Sequence, residues 1–218
     1  QAEDGIRDDL VTGVQTCALP IFDDEPNVIR DVVMALRHED SSPVDCSVRL
    51  SVGNSFEGSG WMRFTDRQVE CESYNQRDGR ITQRIELPGR VRWLQSHPIV
   101  GDALLMRLYD LSRGPGKIFF PDVYLTSPDH RGATGPQLFR TGFGLVYVGE
   151  EDIEVAAGGF RAHHFQVTDT AGNLPEEHPP YSVWCTTDGD YILLRASAGG
   201  YMQTHYELTE LERFQSPI

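Results

Sequence analysis

Lysine is almost missing from this chain: in 218 residues it occurs once, at Lys117, and acidic side chains outnumber basic ones 33 to 19. A surface for nucleic acid needs clustered Lys and Arg against the phosphates, so the net charge of -14 argues against a nucleic-acid partner. No run of eighteen apolar residues occurs, which leaves no membrane-spanning helix in the sequence. Cysteine is scarce, and neither Cys nor the seven His fall at the paired spacings of a zinc site, so no metal is expected. A Gly-x-Ser-x-Gly elbow is lacking, and Gly132-Ala133-Thr134-Gly135-Pro136 lacks the Gly-Lys-Ser/Thr step of a phosphate loop. Triad hydrolysis and P-loop chemistry are therefore disfavoured, and no cofactor is expected. What is present, 39% hydrophobic and 10% aromatic residues, suffices for the core of a single domain.

Residues 11–21 read Val-Thr-Gly-Val-Gln-Thr-Cys-Ala-Leu-Pro-Ile and resemble the in-frame translation of a sequencing-library adapter. The resemblance implies a metagenomic gene model without its natural start. Residues 1–22 are accordingly expected to be artefactual or disordered, and a single β-rich domain is expected over 27–213. Cytoplasmic and periplasmic locations both stay open. With Cys17 set aside, Cys46, Cys71 and Cys185 form an odd set that reads as buried free thiols rather than a disulfide framework.

Ile29, Val32, Val33 and Leu36 follow a helical stripe behind Asn27, which predicts a short N-terminal helix ended by Ser41-Ser42-Pro43. From Asp45 the period changes to two, and runs broken at Gly53-Asn54, Asp66-Arg67 and Asp78-Gly79 predict a four-stranded antiparallel meander over 45–87. Asp102 is placed to cap a central helix carrying Leu104, Leu105, Leu108 and Leu111, although a strand over 104–109 also fits. Pro121 predicts a bulge or an edge in the strand that follows. Strand signals then recur from Leu138 to Leu211 between turn residues, with Glu150-Glu151-Asp152 read as a solvated acidic turn. The expected fold is mainly β, an antiparallel meander forming a barrel or strongly curved half-barrel, with a short N-terminal helix and a candidate central helix.

Residues 147–208 contain Tyr147-Val148-Gly149-Glu150-Glu151-Asp152-Ile153-Glu154-Val155-Ala156-Ala157-Gly158-Gly159-Phe160, then Tyr181-Ser182-Val183-Trp184 and Tyr206-Glu207-Leu208. This pattern resembles uncharacterised bacterial β-rich families related to the lipoprotein-carrier fold. The resemblance implies a curved antiparallel sheet wrapped around a hydrophobic groove or a helix. It brings no catalytic residue with it.

Two regions concentrate chemistry. Asp129-His130-Arg131 places a carboxylate, an imidazole and a guanidinium in one loop, where Arg131 suits a carboxylate and His130 a proton shuttle. In the last hairpin, a four-residue loop over 197–200 would set Ala196 opposite Tyr201 and Ile192 opposite His205, with Tyr201, Gln203 and His205 sharing one face. Isolated polar tips among aromatic neighbours suit a pocket wall, and equally suit buried Tyr and His bonded to backbone. His163 and His164, adjacent in a strand, must face opposite sides. The candidate ligand-binding residues are His130, Arg131, His164, Trp184, Arg195, Tyr201, Gln203 and His205. They point to a barrel module that binds a small, mostly apolar molecule such as a lipid or an aromatic acid. A cofactor-independent isomerase, hydratase or decarboxylase in the same cavity would use His130 or His164, Arg131 or Arg195, and Tyr201. A structural or interaction protein without a pocket is the third reading.

Overall fold

The computed structural model describes residues 10–17 as backbone, and residues 27–129, 131–174, 178–200 and 202–213 in full. The fold is mainly β and consists of two sheets. The first is an antiparallel meander of β1 (Leu10–Cys17), β2 (Val28–Arg37), β3 (Pro43–Val52), β4 (Ser55–Phe64), β5 (Gln68–Asn75) and β6 (Gly79–Glu86) in sequence order. The four strands expected over 45–87 are β3–β6. Gly53 and Asn54 turn β3 into β4 with φ of 56° and 69°, and Gly79 closes the next hairpin with φ 74°. These are left-handed values that glycine and asparagine tolerate best.

The expected N-terminal helix is instead β2. Val28, Arg30, Val32 and Met34 point inward while Ile29, Asp31 and Val33 point out, and the strand pairs along its length with β3. The helical stripe arises because apolar residues stand on both faces of this strand. The inward series is disguised by Arg30, which is fully buried. A charge can stand there because acceptors surround it. Its guanidinium donates to the carbonyls of Ser96 at 3.1 Å, Gly132 at 2.7 Å and Thr126 at 3.2 Å, and to the Thr126 hydroxyl at 2.6 Å. Burial pulls its pKa down to about 10, partly offset by the Cys46 thiol and the Asp129 carboxylate.

The second sheet runs in the order β13-β12-β11-β10-β9-β8-β7 and curls into a half-barrel. Its strands are β7 (Leu94–Gln95), β8 (Gly116–Leu125), β9 (Phe139–Val155), β10 (Gly158–Thr168), β11 (Tyr181–Thr186), β12 (Leu193–Ala198) and β13 (Thr204–Glu207). The register breaks between Phe120 and Val123, so Pro121 stands in a bulge. Glu150, Glu151 and Asp152, expected as a turn, lie inside the long β9, which absorbs Gly149 at φ 140° through a second bulge opposite His164 and Phe165.

Helix α1 (Ile99–Leu105), extended by a 3-10 turn over Met106–Leu108, packs into the concave side of this sheet. The helical reading of the central segment thus holds, but Asp102 is inside the helix and Pro98 occupies the cap position. One core joins Ala103, Leu105 and Met106 of the helix to Val123, Phe143, Leu145, Phe165, Tyr181 and Val183 of the strands. A second core lies between the meander and the outer side of β7–β8, where Leu94, Tyr124 and Leu138 meet Val32, Met62, Val69 and Cys71. Successive residues of β8 serve the two interiors, Val123 the first and Tyr124 the second. Cys46, Cys71 and Cys185 are buried free thiols, and burial pushes Cys46 and Cys185 up to about 12.

Candidate functional site

A cavity of about 150 Å³ opens between α1 and the concave face of the curled sheet. Its position follows from the two periodicities. Ile99, Asp102 and Leu105, three apart, share one side of the helix, while Thr141 and Phe143 on β9 and Thr204 and Tyr206 on β13 alternate inward at a spacing of two. Ile99, Leu105, Val123, Phe143, Val167 and Met202 supply an apolar wall. His97, Arg131 and His178 also border the space, and Arg131 is exposed.

The polar part of the wall centres on Asp102, which is only 7% exposed. Its two carboxylate oxygens accept from Gln95 Nε2 and from the Tyr181 hydroxyl, and Gln95 Oε1 in turn accepts from Trp93 Nε1 at 3.3 Å. Burial pushes the Asp102 carboxyl up to about 7 despite those two donors. The Tyr181 phenol is pushed well above its usual range by its own burial and by the negative charge beside it. Thr204 Oγ1, buried in the same wall, lies beside the Tyr206 phenol without reaching hydrogen-bond geometry.

The residues expected at the site separate into four groups. Arg131 borders the cavity. His130 and Tyr201 lie outside the described residues. His164, Trp184 and Arg195 come together on the opposite, convex face. His164 and Trp184 stack with ring centroids 4.2 Å apart, and the Arg195 guanidinium stands 5.9 Å from the Trp184 ring. Glu151 on β9 joins them, its Oε1 lying 3.0 Å from His164 Nδ1 and accepting from Trp184 Nε1 at 2.7 Å. Burial lowers the His164 pKa, with Glu151 acting in the opposite sense. Its neighbour His163 faces inward, 3.0 Å from the Tyr147 hydroxyl.

Gln203 and His205 are exposed, which corrects the hairpin register. Ala198 pairs with Thr204, Ser197 with His205 and Ala196 with Tyr206, so the connection is longer than four residues. Gly200 at φ 59° and Gln203 at φ 43° make the extra turn. The shift exchanges the two faces, and Met202, Thr204 and Tyr206 line the cavity in place of Gln203 and His205.

Asp102, Gln95 and Tyr181 were not expected as site residues. The signal for Asp102 was His97-Pro98: a proline already marks the start of the helix, so an Asp four residues later is free of capping duty. Tyr181 and Gln95 carry no such mark, since their roles depend on how the sheet curls. Among the described residues no three His, Cys, Asp or Glu side chains gather around a metal position. Comparison with protein-family models, with curated proteins and with solved structures returned no match for the chain. The class defined by the fold is a two-sheet β protein whose curled half-barrel holds a helix and a partly polar cavity.

Proposed function

We propose that the protein binds a small, mostly apolar molecule in the cavity between α1 and the concave face of the curled sheet. The observation that carries this reading is the 150 Å³ of space itself, walled by Leu105, Val123, Phe143 and Val167 and polar around Asp102. A guest that covers this apolar wall removes it from water, which is the source of the gain on binding. Engineered apolar cavities of comparable size take up benzene. A ring or a short chain therefore suits this one better than a long acyl lipid. A helix held in the concavity of an antiparallel sheet is also compatible with the carrier-like resemblance of residues 147–208.

The enzymatic reading in the same cavity loses two of its sequence-derived participants, because His164 and Arg195 stand on the convex face. A solid, pocket-free interior is disfavoured by the cavity.

The test is a thermal-shift panel of ring-sized and short-chain compounds beside long-chain fatty acids, on the full chain and on Ala198→Leu. Ala198 borders the cavity, so the larger side chain occupies the guest's space. Saturable rises in Tm with ring-sized compounds, lost in the variant, support the proposal. It fails if no compound shifts Tm, or if Ala198→Leu binds as the parent does.

A further inference from the structure

We propose that the guest of this cavity is a small protonated amine on an apolar body, with its ammonium group against the Asp102 carboxylate. The inference rests on the binding function proposed above and deepens it. Asp102 is buried, yet the two groups that donate to it, Gln95 Nε2 and the Tyr181 hydroxyl, are both neutral. No ion pair reaches it from any Lys, Arg or His among the described residues, and none of the charges that act on it is a cation. A buried carboxylate without a counter-ion is costly, and hydrogen bonds from neutral donors offset that cost only in part. Each carboxylate oxygen can accept more than the one bond recorded here.

The surroundings favour a cation arriving from solution. The Tyr181 hydroxyl bonds Asp102 and the Tyr206 phenol feels its charge; both line the cavity, and both phenols are raised above the usual range and so neutral near pH 7. The Thr204 hydroxyl adds an acceptor that lacks a hydrogen-bond partner. His97, Arg131 and His178 border the same space, and Arg131 is exposed to water. An aromatic acid held by Arg131 would turn its ring toward Asp102 and leave that carboxylate uncompensated. An amine reverses the arrangement, with the charge beside Asp102 and the ring against Phe143 and Val123.

Three probes of matched shape separate the cases: benzylamine, benzyl alcohol and benzoate, titrated calorimetrically into the full chain and into Asp102→Asn. At about pH 8 benzylamine is expected to bind about tenfold tighter than benzyl alcohol, since a charge-assisted contact replaces a neutral one. Asp102→Asn should erase that preference, so that benzylamine and benzyl alcohol bind the variant with affinities within about twofold of one another. In the unmodified protein the preference should shrink as pH falls from 8 to 5.5, because Asp102 takes up its proton near 7. This second arm stands even if the variant folds poorly. Benzoate binding more tightly than benzylamine, equal binding of amine and alcohol, or a preference that survives in Asp102→Asn overturns the amine assignment while leaving the binding function intact. Failure of all three probes overturns the amine assignment, and the binding function falls with it only if the whole thermal-shift panel fails as well.

Discussion

On the inner side of the meander Cys46, Met62, Val69 and Cys71 are entirely buried, whereas on the concave side of the curled sheet Leu105, Val123 and Phe143 border open space. Both interiors are built by the same strand alternation, so the difference lies in what covers each face. Opposite the meander stand Leu94 of β7, Tyr124 of β8 and Leu138 just before β9. Opposite the curled sheet stands a helix of seven residues with a three-residue 3-10 extension, together roughly 16 Å long. The eleven residues of β10 extend roughly 35 Å. A short rod on a long concave sheet leaves part of that face uncovered, and the cavity lies beside the helix that falls short.

Removing the joint between the two regions should have the largest effect. Arg30 reaches from β2 to the carbonyls of Ser96, Thr126 and Gly132, and the Gly132 end is next to Arg131 at the cavity. Arg30→Ala orphans these acceptors and opens a void, with an expected loss on the order of 5 kcal/mol in chemical denaturation. Arg30→Lys keeps the charge but loses the planar fork and should recover only part of it. A small loss in Arg30→Ala would show that the two sheets stand independently.

The contrast between the regions also explains what could be read from sequence. β3–β6 were legible because the strands alternate and two of their three connections carry Gly or Asn where φ is positive, at Gly53-Asn54 and Gly79. β2 was not, since Ile29 and Val33 are apolar on the outer face and Arg30 is charged on the inner one. Only tertiary acceptors 66 to 102 residues away make that arginine admissible, and no local pattern reveals them. The cavity wall failed differently. Alternation in the last hairpin was recognised, but Gln203 adopts a left-handed conformation that its residue type does not announce, and that one turn decides which side chains meet Asp102.

The next largest effect is electrostatic and confined to the curled sheet. Asp102 has a folded pKa of about 7 against an ordinary 3.8, so the folded protein holds this proton more tightly than the unfolded chain. Its stabilising contribution is full below about pH 4 and is lost as pH rises toward 7, amounting to roughly 4 kcal/mol across the window. Asp102→Asn removes this slope, so the difference in unfolding free energy between variant and parent should grow in the variant's favour from pH 4 to pH 7. A pH-independent difference would mean that Asp102 is not sealed from water as its burial indicates.

Substitutions of size then probe the packing directly. Met62→Ala in the filled interior should cost about 3 kcal/mol, because the surrounding side chains cannot collapse into the gap. Ala198→Leu adds volume where space exists and should change stability by about 1 kcal/mol in the favourable direction. The same enlargement in the meander, Cys46→Leu, should instead be unfavourable by about 1–3 kcal/mol. Similar costs for the two enlargements would erase the distinction between a filled and an unfilled interior.

The smallest effect belongs to the convex face, where Glu151 bridges His164 and Trp184. Glu151 is 49% exposed at its side chain, so Glu151→Gln should cost no more than about 0.5 kcal/mol near neutral pH after solvent screening. The His164 pKa is the sensitive readout. It is already lowered by burial, and Glu151 is the group that raises it, so the variant should titrate at lower pH by NMR of the imidazole. Because the folded value lies below 6.5, the associated stability is present above that pH and fades as pH falls through the folded pKa. Binding in the cavity should be unchanged, since the sheet separates this stack from Asp102. If Glu151→Gln alters affinity for any guest of the cavity, the two faces communicate through β10 and β11, and the convex stack belongs to the binding machinery after all.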